Sequence, residues 1–215
     1  RFASQVAAKV SGAVVLLAEN RLILATAEKM ILQRGYLGTS IEEIIGEAGI
    51  TKGGFFYHFD GKSDLARHLM LRYLENDGRF FGGLSERARS LTEDPLQQFL
   101  LFLKLMAEAL ADMPGTHPGC LVASFTYEAH QFDEEIRSLN TQGVLSWREL
   151  FMDHLAKIAE TYPMKIEQPL DELADLLTSV IEGGIIMSKV LDEGDTLPNQ
   201  ILHYRSYIRL VFGDV

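Results

Sequence analysis

Apolar residues recur at helical spacing along nearly the whole chain, and no run alternates apolar and polar residues as a half-buried strand would. Leu22, Ile23, Ala27, Met30 and Ile31 share one helical face, and Gly35 follows as a stop signal. Thr39-Ser40-Ile41-Glu42-Glu43 offers capping-box spacing twice, Thr39 to Glu42 and Ser40 to Glu43. A helix therefore begins here, with the choice of cap open, and runs through Ile44, Ile45 and Ala48 to Gly49. Thr51 is an N-cap for a short third helix over residues 52–59. Asp60-Gly61 turns the chain, and a long fourth helix starts near Lys62, carrying Leu65, Leu69, Tyr73 and Phe80.

The second half keeps the same period. Asp94 caps a helix that has Pro95 at its first position. Its stripe of Leu96, Phe99, Leu100, Leu103, Met106, Ala107 and Leu110 is widened by Leu101, Phe102 and Leu105, so it belongs in the middle of a domain. A Pro- and Gly-rich break over residues 113–119 follows, then helices near 120–130, 133–161, 169–191 and 198–212. The pattern predicts an all-α chain.

Composition narrows the class. Apolar residues make up 47% of 215 residues, enough for a sizeable core. No run approaches a membrane span, and residues 10–18, the longest near the start, are too short and lack a cleavage pattern for a secretory signal. With a single cysteine, Cys120, no intrachain disulfide is possible, so a cytoplasmic protein is expected. The net charge of −10 is unevenly spread. Residues 1–72 carry nine Lys/Arg against seven Asp/Glu, whereas the remainder carries eleven against twenty-three. Only the N-terminal part is electrostatically suited to approach a nucleic acid.

Helix, glycine turn and short helix over residues 40–59 form a helix-turn-helix pattern, with Ile44, Ile45, Ala48, Ile50, Phe55 and Phe59 facing inward. Thr39-Ser40-Ile41-Glu42-Glu43-Ile44-Ile45, Ala48-Gly49-Ile50-Thr51-Lys52-Gly53, Phe55-Phe56-Tyr57-His58-Phe59 and Lys62-Ser63-Asp64-Leu65 together resemble the DNA-binding signature of the TetR/AcrR family of transcriptional regulators. The close resemblance covers residues 20–66. Beyond it the likeness is in helical layout, with Gly119-Cys120-Leu121 and Glu182-Gly183-Gly184 also familiar. The resemblance implies an N-terminal three-helix helix-turn-helix domain over residues 1–66 and a C-terminal helical domain over 67–215 for effector binding and dimerisation. It also implies a homodimer on an inverted-repeat operator. Thr39, Ser40, Thr51, Lys52, Gly53, Gly54, Phe56, Tyr57, His58 and Lys62 are the expected DNA contacts. Phe56 departs from the family's usual tyrosine and offers no hydroxyl to a phosphate. The recognition helix, about 13 Å long, fits a major groove about 12 Å wide.

Other chemistry is thin. His117 and Cys120 have too few neighbours for a metal site, and the acidic pairs cluster at helix starts, where they suit the helix dipole. No nucleophile elbow or phosphate loop is present, so neither metal, cofactor nor enzymatic activity is expected. Phe99, Phe102, Met106, His117, Cys120, Phe125, Tyr127, His130, Trp147 and Phe151 are candidate pocket residues for a small apolar or amphipathic effector. Leu177, Ile181, Ile185, Tyr204 and Ile208 are candidates for a dimer interface built from the last two helices. The expected function is a ligand-released repressor. The alternatives are a same-fold activator, a regulator controlled by a protein partner, and a helical enzyme.

Overall fold

A computed structural model describes residues 2–213, with side chains from Val14 onward. Among the described residues there are nine α-helices and no strand. None of these helices is long and apolar enough to cross a membrane. The helices are α1 (Phe2–Arg34), α2 (Ile41–Ala48), α3 (Lys52–His58), α4 (Lys62–Leu91) and α5 (Pro95–Ala111). They continue with α6 (Leu121–Tyr127), α7 (Glu134–Thr161), α8 (Leu170–Leu191) and α9 (Thr196–Phe212).

Residues 10–18, set aside above as a secretory signal, belong to the first helix. α1 is one helix of 33 residues, about 50 Å long at 1.5 Å per residue. It ends at Gly35, whose φ of 81° is a left-handed turn that glycine adopts freely. Ser40, not Thr39, caps α2: its Oγ accepts from the Glu43 N–H at 3.2 Å, and Glu43 accepts from the Ser40 N–H at 2.8 Å. α2 closes at Gly49, again left-handed, and Ile50 N–H returns to the Ile45 carbonyl. Ile44, Phe55, Phe59, Leu65 and Leu69 make a small core with Ile23, Ala27 and Ile31 of α1.

The larger core lies among α4, α5, α7, α8 and α9. α5 is the central rod, with Phe99, Phe102 and Leu103 fully buried. Asp94 caps it through Oδ1 at 2.7 Å from the Gln97 N–H. α8 and α9 can pack closely because Gly184 faces Leu197, where a Cβ would come within 2.8 Å of the leucine side chain. α9 begins two residues before Pro198, which sits in its first turn where no amide donor is needed. α6 is shorter than expected: it stops at Tyr127, and a 3₁₀ turn (Ala129–Gln131) follows.

Candidate functional site

α2, the Gly49 turn and α3 bury Ile44 and Phe55 and leave the other side of α3 open. Tyr57 is 68% exposed and Phe56 45%, an unusual display of aromatic surface on so small a domain. Thr51 Oγ1 accepts from the Gly54 N–H at 3.0 Å, which leaves its hydroxyl proton free to donate outward. Lys52 Nζ lies 3.8 Å from Glu42 and 5.9 Å from the Phe56 ring centroid. Both charged side chains are more than two-thirds exposed, so the pair is weak and gives way readily to a phosphate. Gly53 has open space where a Cβ would be, the nearest atom being Thr51 Oγ1 at 3.9 Å.

Five of the residues expected at this surface are placed otherwise. Thr39 is fully buried, and its hydroxyl donates to the Gly35 carbonyl at 3.0 Å. Ser40 is exposed, but its hydroxyl both accepts from the Glu43 amide and donates to the Glu43 carboxylate. Gly54 makes room for α1 instead of for DNA, since a Cβ there would meet Glu19 at 2.8 Å. The His58 ring turns inward, with Nε2 3.3 Å from that same Glu19. Lys62 points back: its ammonium bonds the Tyr36 carbonyl and sits 4.1 Å above the Tyr36 ring. Burial depresses the Lys62 pKa, with Glu128 and Glu43 pulling it up in part. The neighbouring cations Lys29 and Arg34 each face a glutamate of α2, Glu47 at 3.9 Å and Glu43 at 2.8 Å.

A second feature ties the two halves together. Glu128, the residue that ends α6, accepts from the Tyr36 and Leu37 amides at 2.7 and 2.8 Å. Those amides lie just beyond α1, and the missing Cβ of Gly35 leaves the carboxylate its place. Ser63 donates to Asp133 at 3.3 Å across the same seam. The Tyr36 phenol is pushed up to about 12 by burial and by the charges of Asp133 and Glu128.

Within the larger domain a cavity of about 90 Å³ opens among α4, α5, α7 and α8. Met106, His117, Cys120, Trp147 and Phe151, named above as candidate pocket residues, line it. Tyr73, Asp77, Phe80 and Phe81 of α4 line it too, with Thr178, Ile181, Glu182 and Ile185 of α8. The other pocket candidates lie elsewhere. Phe99 and Phe102 stack on the buried His154 at 5.2 and 5.1 Å as solid core. Phe125 packs on Phe132 at 4.3 Å beneath the α1 turn. Tyr127 is 77% exposed, and His130 is exposed on the 3₁₀ turn.

Burial raises Asp77 to about 7, and the charges of Glu28 and Glu182 add to the rise. The Trp147 indole N–H, near the carboxylate, opposes the rise more than either glutamate adds to it, yet makes no hydrogen bond of proper geometry. Glu182 is raised by burial, and Cys120 goes up to about 12 through burial and the Glu182 charge. His117 is depressed by burial and by Lys189, and its Nδ1 accepts from the Gly119 amide at 3.2 Å. His117 lines both the cavity and an open surface groove between α1 and α4, so the 113–119 loop stands at the cavity's entrance.

The residues expected at a dimer interface face inward. Leu177, Ile185, Tyr204 and Ile208 are buried within the chain, the Tyr204 hydroxyl donating to the Leu173 carbonyl at 2.8 Å. Ile181 lines the cavity. The outer side of α8 carries a different row, Leu176, Val180, Gly183, Met187 and Val190, at i, i+4, i+7, i+11 and i+14. Val190 is 76% exposed, and Leu210 of α9 is exposed as well.

Comparison with known proteins agrees with this architecture. Residues 23–69 match the family described as bacterial regulatory proteins, tetR family. Residues 95–200 match the C-terminal domain of LmrA/YxaF-like transcriptional regulators. The chain is 27% identical to the uncharacterized HTH-type transcriptional regulator YxaF of Bacillus subtilis, over 77% of this chain and 82% of that protein. It is 25% identical to the HTH-type transcriptional repressor NemR of Escherichia coli, over 86% and 92%. Its fold is similar to a TetR-family regulator from Agrobacterium tumefaciens, with a TM-score of 0.76 and 20% identity over 92% of this chain and all of that one.

Proposed function

The chain belongs to the TetR family of DNA-binding transcriptional regulators, and on that premise we propose that it is a cytoplasmic homodimeric repressor released from an inverted-repeat operator by a small molecule. α3 enters the major groove, with Thr51, Lys52, Gly53, Phe56 and Tyr57 toward the DNA. The exposed row on α8, with the outer side of α9, forms the two-fold interface. The effector occupies the α4–α5–α7–α8 cavity.

The observation that carries the reading is that two helices run from that cavity to the DNA-binding half. α4 lines it with Tyr73 and Asp77 and starts at Lys62, beside α3. α6 has its N-cap, Cys120, in the cavity wall and ends at Glu128 on the turn beyond α1. A ligand can release DNA only by binding one placement of these helices better than another. Operator DNA must then weaken the ligand by the same factor, typically about 5- to 150-fold.

The test is fluorescence anisotropy on duplexes from the DNA flanking the gene. The protein should select an inverted repeat, and Lys52→Ala should weaken binding and lower the salt slope by about one. Equal binding to every flanking duplex would dismiss operator recognition. An unchanged Lys52→Ala affinity would remove that residue from the contact.

A further inference from the structure

The cavity holds two carboxylates without a cation. Asp77 enters from α4 and Glu182 from α8, and no Lys or Arg is among the residues that line the cavity. Among the described residues, no salt bridge involves either acid. Both acids are half-buried, and acids drawn out of water are ordinarily paired, because an isolated charge there is costly.

The groups that face the acids do not supply the missing charge. Tyr73 shares the Asp77 helix, Glu28 approaches from α1, Trp147 from α7, and His117 and Cys120 from the chain leading into α6. Glu28 is engaged by Arg72. His117 is held toward its neutral form, the Cys120 thiol keeps its proton, and the phenol and indole are neutral donors. The remaining wall is mainly apolar, part aliphatic (Met106, Leu110, Ile181, Ile185 and Leu197) and part aromatic. Phe80, Phe81 and Phe151 present ring surface, which attracts a cation through its negative face.

We propose that this cavity is the receptor for an organic cation, a quaternary or protonated ammonium on an aromatic or alkyl body, with Asp77 and Glu182 as its counter-ions and the rings of Trp147 and Phe151 as its walls. The proposal rests on the cavity being the effector site. The free volume accepts a small ammonium head, and longer bodies leave past His117. A cation replaces the proton that Asp77 otherwise retains near neutral pH, so binding releases a proton. Affinity for a permanent cation should therefore rise about tenfold from pH 6 to pH 8, as the ionised fraction of Asp77 climbs from about one tenth to about nine tenths. An uncharged ligand of the same shape has no such dependence.

Calorimetric titration of the full-length protein with benzyltrimethylammonium and its uncharged isostere neopentylbenzene is decisive. The cation should bind at least tenfold more tightly at pH 8 and show the pH dependence, which the isostere should lack. Asp77→Asn should weaken the cation and flatten its pH profile while sparing the isostere, and Glu182→Gln should weaken the cation independently. Thermal melting of each variant establishes that it is folded. Equal affinity for the two probes, or a cation affinity and pH profile untouched by both substitutions, overturns the proposal. Titration with operator DNA separates the two levels of the argument. A cation that binds through Asp77 but leaves operator affinity unchanged upholds the cation site and removes the effector role. Release of DNA by the isostere alone upholds the effector site and removes the cation.

Discussion

His154 shows how a single side chain can be legible in identity and not in state. It lies between the Phe99 and Phe102 rings, with Nε2 3.0 Å from Ser85 Oγ. Burial lowers its pKa to about 4, with Asp153 opposing and Arg89 and Lys157 adding to the fall. The unfolded chain then takes up a proton near pH 6.5 that the folded protein refuses until about pH 4. This contribution to stability is complete above pH 6.5 and is lost as the pH falls toward 4, at a slope of up to about 1.4 kcal/mol per unit. His154→Gln can keep the Ser85 bond and cannot titrate. Its stability relative to the parent should rise on acidification through that window, read by denaturant melts at pH 7, 5.5 and 4.5. A constant difference would mean that His154 does not titrate there. At this scale the sequence placed Lys52 and Tyr57 on the open side of a short helix, because a local motif fixes their side of it. It did not single out Asp77, and marked Glu182 only as part of a familiar stretch and not as a pocket residue, although a signal exists. Asp77 lies four residues from both Tyr73 and Phe81, and Glu182 four from Thr178 and three from Ile185, so each acid interrupts an apolar face.

Helices were legible where their ends are set by neighbouring residues. Asp94 with Pro95, Gly49 and the Ser40–Glu43 box mark boundaries that the fold keeps. The early end of α6 was not legible, because the residue that ends it is drawn aside by amides about ninety positions away in the chain. That carboxylate makes α6 a strut between cavity and DNA-binding half. Glu128→Gln retains one good acceptor and presents an amide N–H group where a second acceptor is needed. Two charge-assisted bonds are lost or weakened, a stability cost of about 2 kcal/mol or more. Hydrogen exchange at the Tyr36 and Leu37 amides should quicken at least about tenfold, and the operator affinity should respond less to an effector. Unaltered exchange at both amides would show that the strut carries no load.

For the molecule as a whole, the all-α fold class was evident from periodicity, but the roles of the last helices were confounded. α8 and α9 are apolar on most sides, and the same residue types serve an intrachain core, a cavity wall and, on the proposed function, a contact between chains. The structure separates them: Leu177 and Ile208 inward, Ile181 on the cavity, Met187 and Val190 outward. Val190→Asp should therefore shift the protein from dimer to monomer in sedimentation at micromolar concentration without loss of helicity, and weaken operator binding. A persistent dimer would place the interface elsewhere. The unpaired acids of the cavity have one more consequence, which concerns how such a protein can change over generations. Each acid holds its site at a cost in folding stability, so the replacements that most easily strengthen the chain are those that neutralise it. A population selected only for heat resistance would discard Asp77 early and gain a sturdier protein that, on the proposed function, no longer answers its effector.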